Sequence, residues 1–200
     1  MKFYESGDNR KPVIFLFPGT CCLYSSFDHV LDGLHSYFYT VTVSYDGFDP
    51  NEKTEFYSME DECEKIEQEI RKKYGGRIYL VAKIQSSMVV PFMYKMVHTG
   101  TLPKFMQKKL DKTDGGKKEL YNGFFNMFGI GKGGSPWITK QSIYNQFYSD
   151  LVTKVQRGID VPGTTIHVFY ATKMGEKYEK RYCMYFKNPD IRKHNMQHEE

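Results

Sequence analysis

Val13-Ile14-Phe15-Leu16-Phe17 is an unbroken apolar run that follows a proline. A strand with two apolar faces must be covered on both, which is the condition of a parallel sheet packed between helices. Pro18-Gly19-Thr20 ends the run. Residues 25–37 then place Phe27, Val30, Leu31 and Leu34 at helical spacing. Residues 39–45 are β-branched and aromatic and read as a second buried strand. Asp46-Gly47-Phe48-Asp49-Pro50 carries turn chemistry. Ser58-Met59-Glu60-Asp61 reads as an N-cap with acids in the first turn. The helix it opens runs to about Tyr74, with Cys63, Ile66 and Ile70 inward, and Gly75-Gly76 stops it. Residues 77–82 form a third strand. Strand–helix–strand–helix–strand order predicts right-handed crossovers and an α/β fold: a mostly parallel sheet flanked by helices.

The middle of the chain changes character. Residues 88–97, 102–110 and 117–128 read as helices, 129–134 as a glycine-rich break, and 139–155 as a further helix. Two readings stand side by side: an inserted helical cap over a site, or helices that pack the sheet. Residues 164–170 resume the strand pattern, 175–186 read as a helix, and 188–200 are polar. A single domain is expected, with core segments 1–82 and 159–200 around an insertion at 83–158.

Composition excludes several classes. The net charge of +4 is spread along the chain, and nucleic-acid binding needs a clustered basic face. No apolar run is long enough to span a bilayer, and the start lacks a signal peptide's apolar stretch. Cys21, Cys22, Cys63 and Cys183 have no metal spacing, and free thiols fit a reducing interior. The chain is expected to be soluble and cytoplasmic. No Walker loop, dinucleotide fingerprint or zinc motif occurs, so no cofactor or metal is expected.

Acyl transfer needs a nucleophile, a base, an acid to orient the base, and N–H donors for the oxyanion. Pro18-Gly19-Thr20-Cys21-Cys22 follows the first buried strand. Gly19 allows close approach there, and the Thr20 or Cys21 N–H are candidate oxyanion donors. Glu176 follows the last strong strand and is the candidate acid, with Glu179 as fallback. Both also suit the first turn of a helix for its dipole alone. His198 lies in a late loop and is the candidate base. The nucleophile is the gap. After the strand at 77–80 the chain reads Val81-Ala82-Lys83-Ile84-Gln85-Ser86-Ser87-Met88, with no Gly-x-Ser-x-Gly turn. Ser86 and Ser87 lack the small neighbours that a strained nucleophile turn requires, and helix capping explains them equally well.

The chain resembles small, capped, carboxylesterase-like bacterial proteins of the α/β-hydrolase fold. The resemblance rests on Phe17-Pro18-Gly19-Thr20-Cys21-Cys22, Val43-Ser44-Tyr45-Asp46-Gly47-Phe48, and the helix after Met59-Glu60-Asp61-Glu62. It continues through Ser142-Ile143-Tyr144-Asn145-Gln146-Phe147-Tyr148, Phe169-Tyr170-Ala171-Thr172-Lys173-Met174-Gly175-Glu176 and Gln197-His198-Glu199-Glu200. It implies hydrolysis of a small carboxylic ester or acyl substrate, with Glu176 orienting, His198 as base, and Gly19, Thr20 and Cys21 at the oxyanion. It also implies a nucleophile turn, a helix and a strand between the third strand and the cap. That block is missing here, so an incomplete fold and an inactive chain are expected. The alternative is a non-catalytic protein that binds an apolar small molecule or a protein partner, using its Met- and aromatic-rich middle.

Overall fold

The computed structural model describes residues 1–75, 78–82, 137–154 and 156–196. They fall into two compact units, Met1–Val152 and Thr153–Glu200. The helices expected at 88–97, 102–110 and 117–128 of the insertion lie outside the described residues.

The first unit is built on a four-stranded sheet. Its strands are β1 (Lys2–Ser6), β2 (Val13–Phe17), β3 (Tyr39–Ser44) and β4 (Ile78–Ala82), in the order β1-β3-β2-β4. β2 runs parallel to both neighbours, pairing Val13 with Tyr39 on one side and with Ile78 on the other. β1 is antiparallel to β3. Sequence reading missed β1 because Lys-Phe-Tyr-Glu-Ser has no apolar run; an edge strand needs only one covered face. The chain leaves β2 toward β3 on one side and returns past it to β4 on the other. The carboxyl end of β2 therefore lies where open α/β sheets form their ligand crevices.

A 3-10 turn, Tyr24–Phe27, precedes α1 (Asp28–His35), so the expected single helix at 25–37 is two pieces. α2 (Met59–Lys73) starts as its cap predicts, with the Asp61 N–H donating to Ser58 Oγ at 3.2 Å. Arg71, Lys72 and Lys73 in its last turn complement the dipole. Its inward face differs from expectation. Cys63 is exposed, whereas Glu62 is fully buried beside the partly buried Ile66 and Ile70. The physical reason is a hydrogen bond: the Asp46 N–H at the end of β3 donates to Glu62 Oε2 at 3.2 Å.

α3 (Lys140–Val152) is part of the same core. Its Ile143 and Phe147 join Phe15, Val41, Val43, Phe48 and Phe56 in one buried cluster. Each such side chain contributes roughly 1.5–3 kcal/mol by leaving water. Thr139 caps α3, its Oγ1 accepting from the Ser142 N–H at 3.0 Å. The close approach of α3 depends on Gly47, at φ +78°. A Cβ there would lie 2.8 Å from the Phe56 nitrogen and would strike Ser142.

The second unit is a strand–helix–strand crossover: β5 (His167–Ala171), α4 (Glu176–Tyr185) and β6 (Asp190–His194). β5 and β6 are parallel, from His167 opposite Asp190 to Ala171 opposite His194. β6 falls in the segment read only as polar; its Asp-Ile-Arg-Lys-His sequence is mostly exposed and so carries no apolar signature. Among the described residues no helix is long and apolar enough to cross a membrane.

Gly47→Ala is expected to lower the urea unfolding free energy by at least about 2 kcal/mol. Gly33→Ala, in α1 with nothing within 4 Å of the new methyl, is expected to be neutral or stabilising.

Glu62 gives a pH signature. Burial is the main cause that pushes its carboxyl up to about 7, and the Asp46 charge adds to it; the Asp46 N–H and Lys65 oppose. Burial would also raise the Asp46 carboxyl, but Lys65 and the Met1 ammonium bond it and hold it below its ordinary range. The folded chain keeps the Glu62 proton where the unfolded chain has released it. Its contribution is thus fully present below the ordinary carboxyl value and is lost as pH rises through about 7. Glu62→Gln keeps the acceptor. It is expected to flatten the fall between pH 5 and 8 and to be more stable at pH 8 by on the order of 2–3 kcal/mol, measured by denaturant titration.

Candidate functional site

The residues after β2 form a tight turn at the carboxyl end of the sheet. The Cys22 N–H donates to the Gly19 carbonyl at 3.0 Å and closes it. Cys21 sits in the left-handed region at φ +58°, unusual for a residue with a side chain. Such a conformation costs of order 1–3 kcal/mol and persists only where surrounding contacts hold it.

α3 supplies those contacts. The Cys21 N–H donates to Gln146 Oε1 at 2.6 Å, and Thr20 Oγ1 donates to Asp150 Oδ2 at 2.7 Å. Gln146 and Asp150 are four positions apart, on one face of the helix. Gln146 is 1 % exposed and Cys21 6 %. Two further α3 residues do the same for neighbouring backbone. Ser142 Oγ accepts from the Phe56 N–H at 3.1 Å, and Ser149 Oγ from the Met59 N–H at 3.3 Å. Sequence reading named Gln146 only as part of a motif and passed over Asp150. The available signal was Ser142, Gln146 and Ser149 at helical spacing beside Ile143 and Phe147, a polar stripe running along an apolar face.

The electrostatics of the turn are unlike those of a thiol nucleophile. Burial is the largest cause that pushes the Cys21 thiol well up, and Asp150 and Cys22 push in the same direction. Burial also raises the Asp150 carboxyl, with the Thr20 hydroxyl opposing. A protonated buried thiol is a poor nucleophile.

Glu176 lies in the second unit. β5 ends at Ala171, a 3-10 turn (Thr172–Met174) follows, and Gly175 at φ +93° opens α4 with Glu176 as its first residue. Glu176 is exposed, and Glu179 pairs with Lys193 of β6 at 2.9 Å. Both acids edge an open hollow of about 640 Å³ together with Tyr170 and Cys183. His198, Ser86 and Ser87 lie outside the described residues.

Two histidine contacts went unread in the sequence. His35 Nε2 lies 2.9 Å from Ser6 Oγ and 3.1 Å from Thr40 Oγ1, a hydroxyl cluster that ties α1 to β1 and β3. No carboxylate bonds His35 among the described residues. His167 Nδ1 lies 2.7 Å from Asp190 Oδ2, and both side chains are exposed. The carboxylates of Asp46, Asp61 and Glu62 converge as a cation site would. The Lys65 ammonium lies against all three, with Glu62 at 3.5 Å, so the cation they meet is a lysine.

No family model matches the chain, and no curated protein matches it in sequence. Solved structures do match. An esterase from a marine microorganism aligns over 98 % of this chain and 92 % of its own, with a TM-score of 0.62 and 13 % identity. A protein from Desulfitobacterium hafniense assigned to the α/β-hydrolase family aligns over 96 % and 90 %, with a TM-score of 0.55 and 11 % identity. A hydrolase from Pseudomonas aeruginosa aligns over 97 % and 85 %, with a TM-score of 0.54 and 10 % identity. The chain has the α/β-hydrolase fold.

The turn makes a prediction about thiol reactivity. In the native protein iodoacetamide is expected to modify Cys63 and Cys183, which are exposed, at least tenfold faster than buried Cys21. Peptide mass mapping after timed quenching measures the order, and urea is expected to erase it.

Proposed function

We propose that this chain is the scaffold of an ester or acyl hydrolase that does not itself turn over substrate. One observation carries the reading: the Cys21 N–H, in the turn that would hold the oxyanion, is closed by Gln146 Oε1 at 2.6 Å. Oxyanion stabilisation needs donors that are free and aimed at the developing charge. A donor already bonded to a buried carboxamide does not serve it.

The roles in the parent chemistry would be Gly19, Thr20 and Cys21 at the oxyanion, Glu176 or Glu179 as orienting acid, and His198 as base. Ser86 and Ser87 stand where a nucleophile turn would follow β4, without its glycines. The substrate class is a small carboxylic ester or related acyl compound. This agrees with the esterase and hydrolases of the same fold, a fold-level analogy. The thiols of Cys21, Cys22, Cys63 and Cys183 are unbridged, which favours a reducing compartment such as the cytoplasm.

A second reading, non-catalytic binding of an apolar molecule or protein partner, draws on β4. Its Tyr79, Leu80 and Val81 are all exposed, Leu80 by 59 %.

The test is intact mass with and without a fluorophosphonate probe, together with p-nitrophenyl butyrate hydrolysis. The expected outcome is no adduct and a rate no higher than buffer. A single adduct with turnover that the adduct abolishes would contradict the proposal.

A further inference from the structure

We propose that Cys183 is a modification site: the hollow beside α4 seats a small disulfide built of zwitterionic amino acids or a short peptide, and half of it is passed to the Cys183 sulfur. This goes beyond the acyl chemistry, in which neither Cys183 nor the Tyr170 hydroxyl takes part.

The hollow is polar although it lies where a helix meets a sheet. α4 packs on β5 through aromatic rings, with Tyr182 edge-on to Tyr170 at 6.2 Å between centroids. The next stripe of the helix is Glu176, Glu179, Lys180 and Cys183, at i, i+3, i+4 and i+7. Tyr170 and Lys193 lie opposite each other on β5 and β6. Together with that stripe they border about 640 Å³ of space. Sites that take small molecules are of this size.

Tyr170 points to an occupant. It is 2 % exposed, yet its hydroxyl has no hydrogen-bond partner among the described residues. A buried hydroxyl left unmet costs stability and calls for an explanation. A ligand oxygen in the hollow supplies the missing acceptor.

Charge narrows the ligand. Glu179 and Lys193 neutralise each other at 2.9 Å. Neither Lys180 nor Glu176 is ion-paired among the described residues. A cation and an anion are thus left to receive a carboxylate and an ammonium of one ligand.

Cys183 is the reactive group, an exposed thiol one turn from Lys180. Its thiolate attacks one sulfur of the bound disulfide. The Cys183–sulfur bond forms, the ligand's S–S bond breaks, and the departing thiolate leaves with the electron pair and takes a proton from water. Cys183 is oxidised and half of the ligand is reduced, so no further oxidant is required. The other exposed thiol, Cys63, is the internal control. It stands among acids on α2, and partial burial, then Glu60 and Glu62, push it up.

The test is the ratio of Cys183 to Cys63 modification by oxidised glutathione, read by peptide mass mapping, against the same ratio for iodoacetamide. The glutathione ratio is expected to exceed the iodoacetamide ratio by about tenfold or more. Cystamine, a disulfide whose only charges are ammonium groups, is expected to show no such excess. Tyr170→Phe is expected to keep the melting temperature and the iodoacetamide rate, and to slow glutathione at Cys183 by about threefold or more. Lys180→Gln is expected to slow it likewise. Equal ratios for glutathione and iodoacetamide, an equal excess with cystamine, or an unchanged glutathione rate in either variant would overturn the proposal. A lowered melting temperature of Tyr170→Phe would overturn it too, because the hydroxyl would then have a partner within the folded chain.

Discussion

The backbone N–H groups of Cys21, Phe56 and Met59 find their acceptors on one helix, at Gln146, Ser142 and Ser149 of α3. They come from the turn after β2, the loop before α2, and the first turn of α2. Each would otherwise be an unmet donor at or near the core, costing about 1–3 kcal/mol. The α3 face that carries these acceptors also carries Ile143 and Phe147 into the hydrophobic cluster. Apolar burial supplies the attraction and the polar stripe fixes where the helix lies. Gly47 completes the arrangement, since only a residue without Cβ lets Ser142 approach the Phe56 backbone.

The same geometry decides what the turn at 19–22 can do. A loop at the carboxyl end of a central parallel strand is where this class of sheet binds ligands. Here Gln146 and Asp150 of α3 bond the Cys21 N–H and the Thr20 hydroxyl of that turn. A strained Cys21, a carboxamide on its N–H and a carboxylate on the Thr20 hydroxyl form a closed set. The fold is that of α/β hydrolases, and in this loop the Cys21 N–H is bonded by the Gln146 carboxamide.

Much of the scaffold was legible because it is local. β2 and β3 announce themselves as apolar and β-branched runs, α2 by Ser58 and its acids, and α4 by the break before Glu176. β1 and β6 were invisible because edge strands with an exposed face need no apolar pattern, and only their pairing makes them strands. Glu62 was misread by one position. Helical spacing gives a face to within about a residue, and the hydrogen bond from Asp46 decided in favour of a carboxylate over Cys63. The polar stripe that carries Gln146 is a local pattern, but its contact with Cys21 spans 125 positions of sequence, so the partner had no local signal. Composition did bear on the nucleophile, because a glycine-flanked serine is a local motif and the stretch after β4 does not contain it.

Native-state hydrogen exchange at the Cys21 amide tests the central claim most directly. If α3 closes the turn, the Cys21, Phe56 and Met59 amides exchange slowly and with a common opening free energy, as one cooperative unit. Fast exchange at Cys21 while Phe56 and Met59 stay protected would mean that Gln146 does not hold the turn, and the account of a filled site would fall.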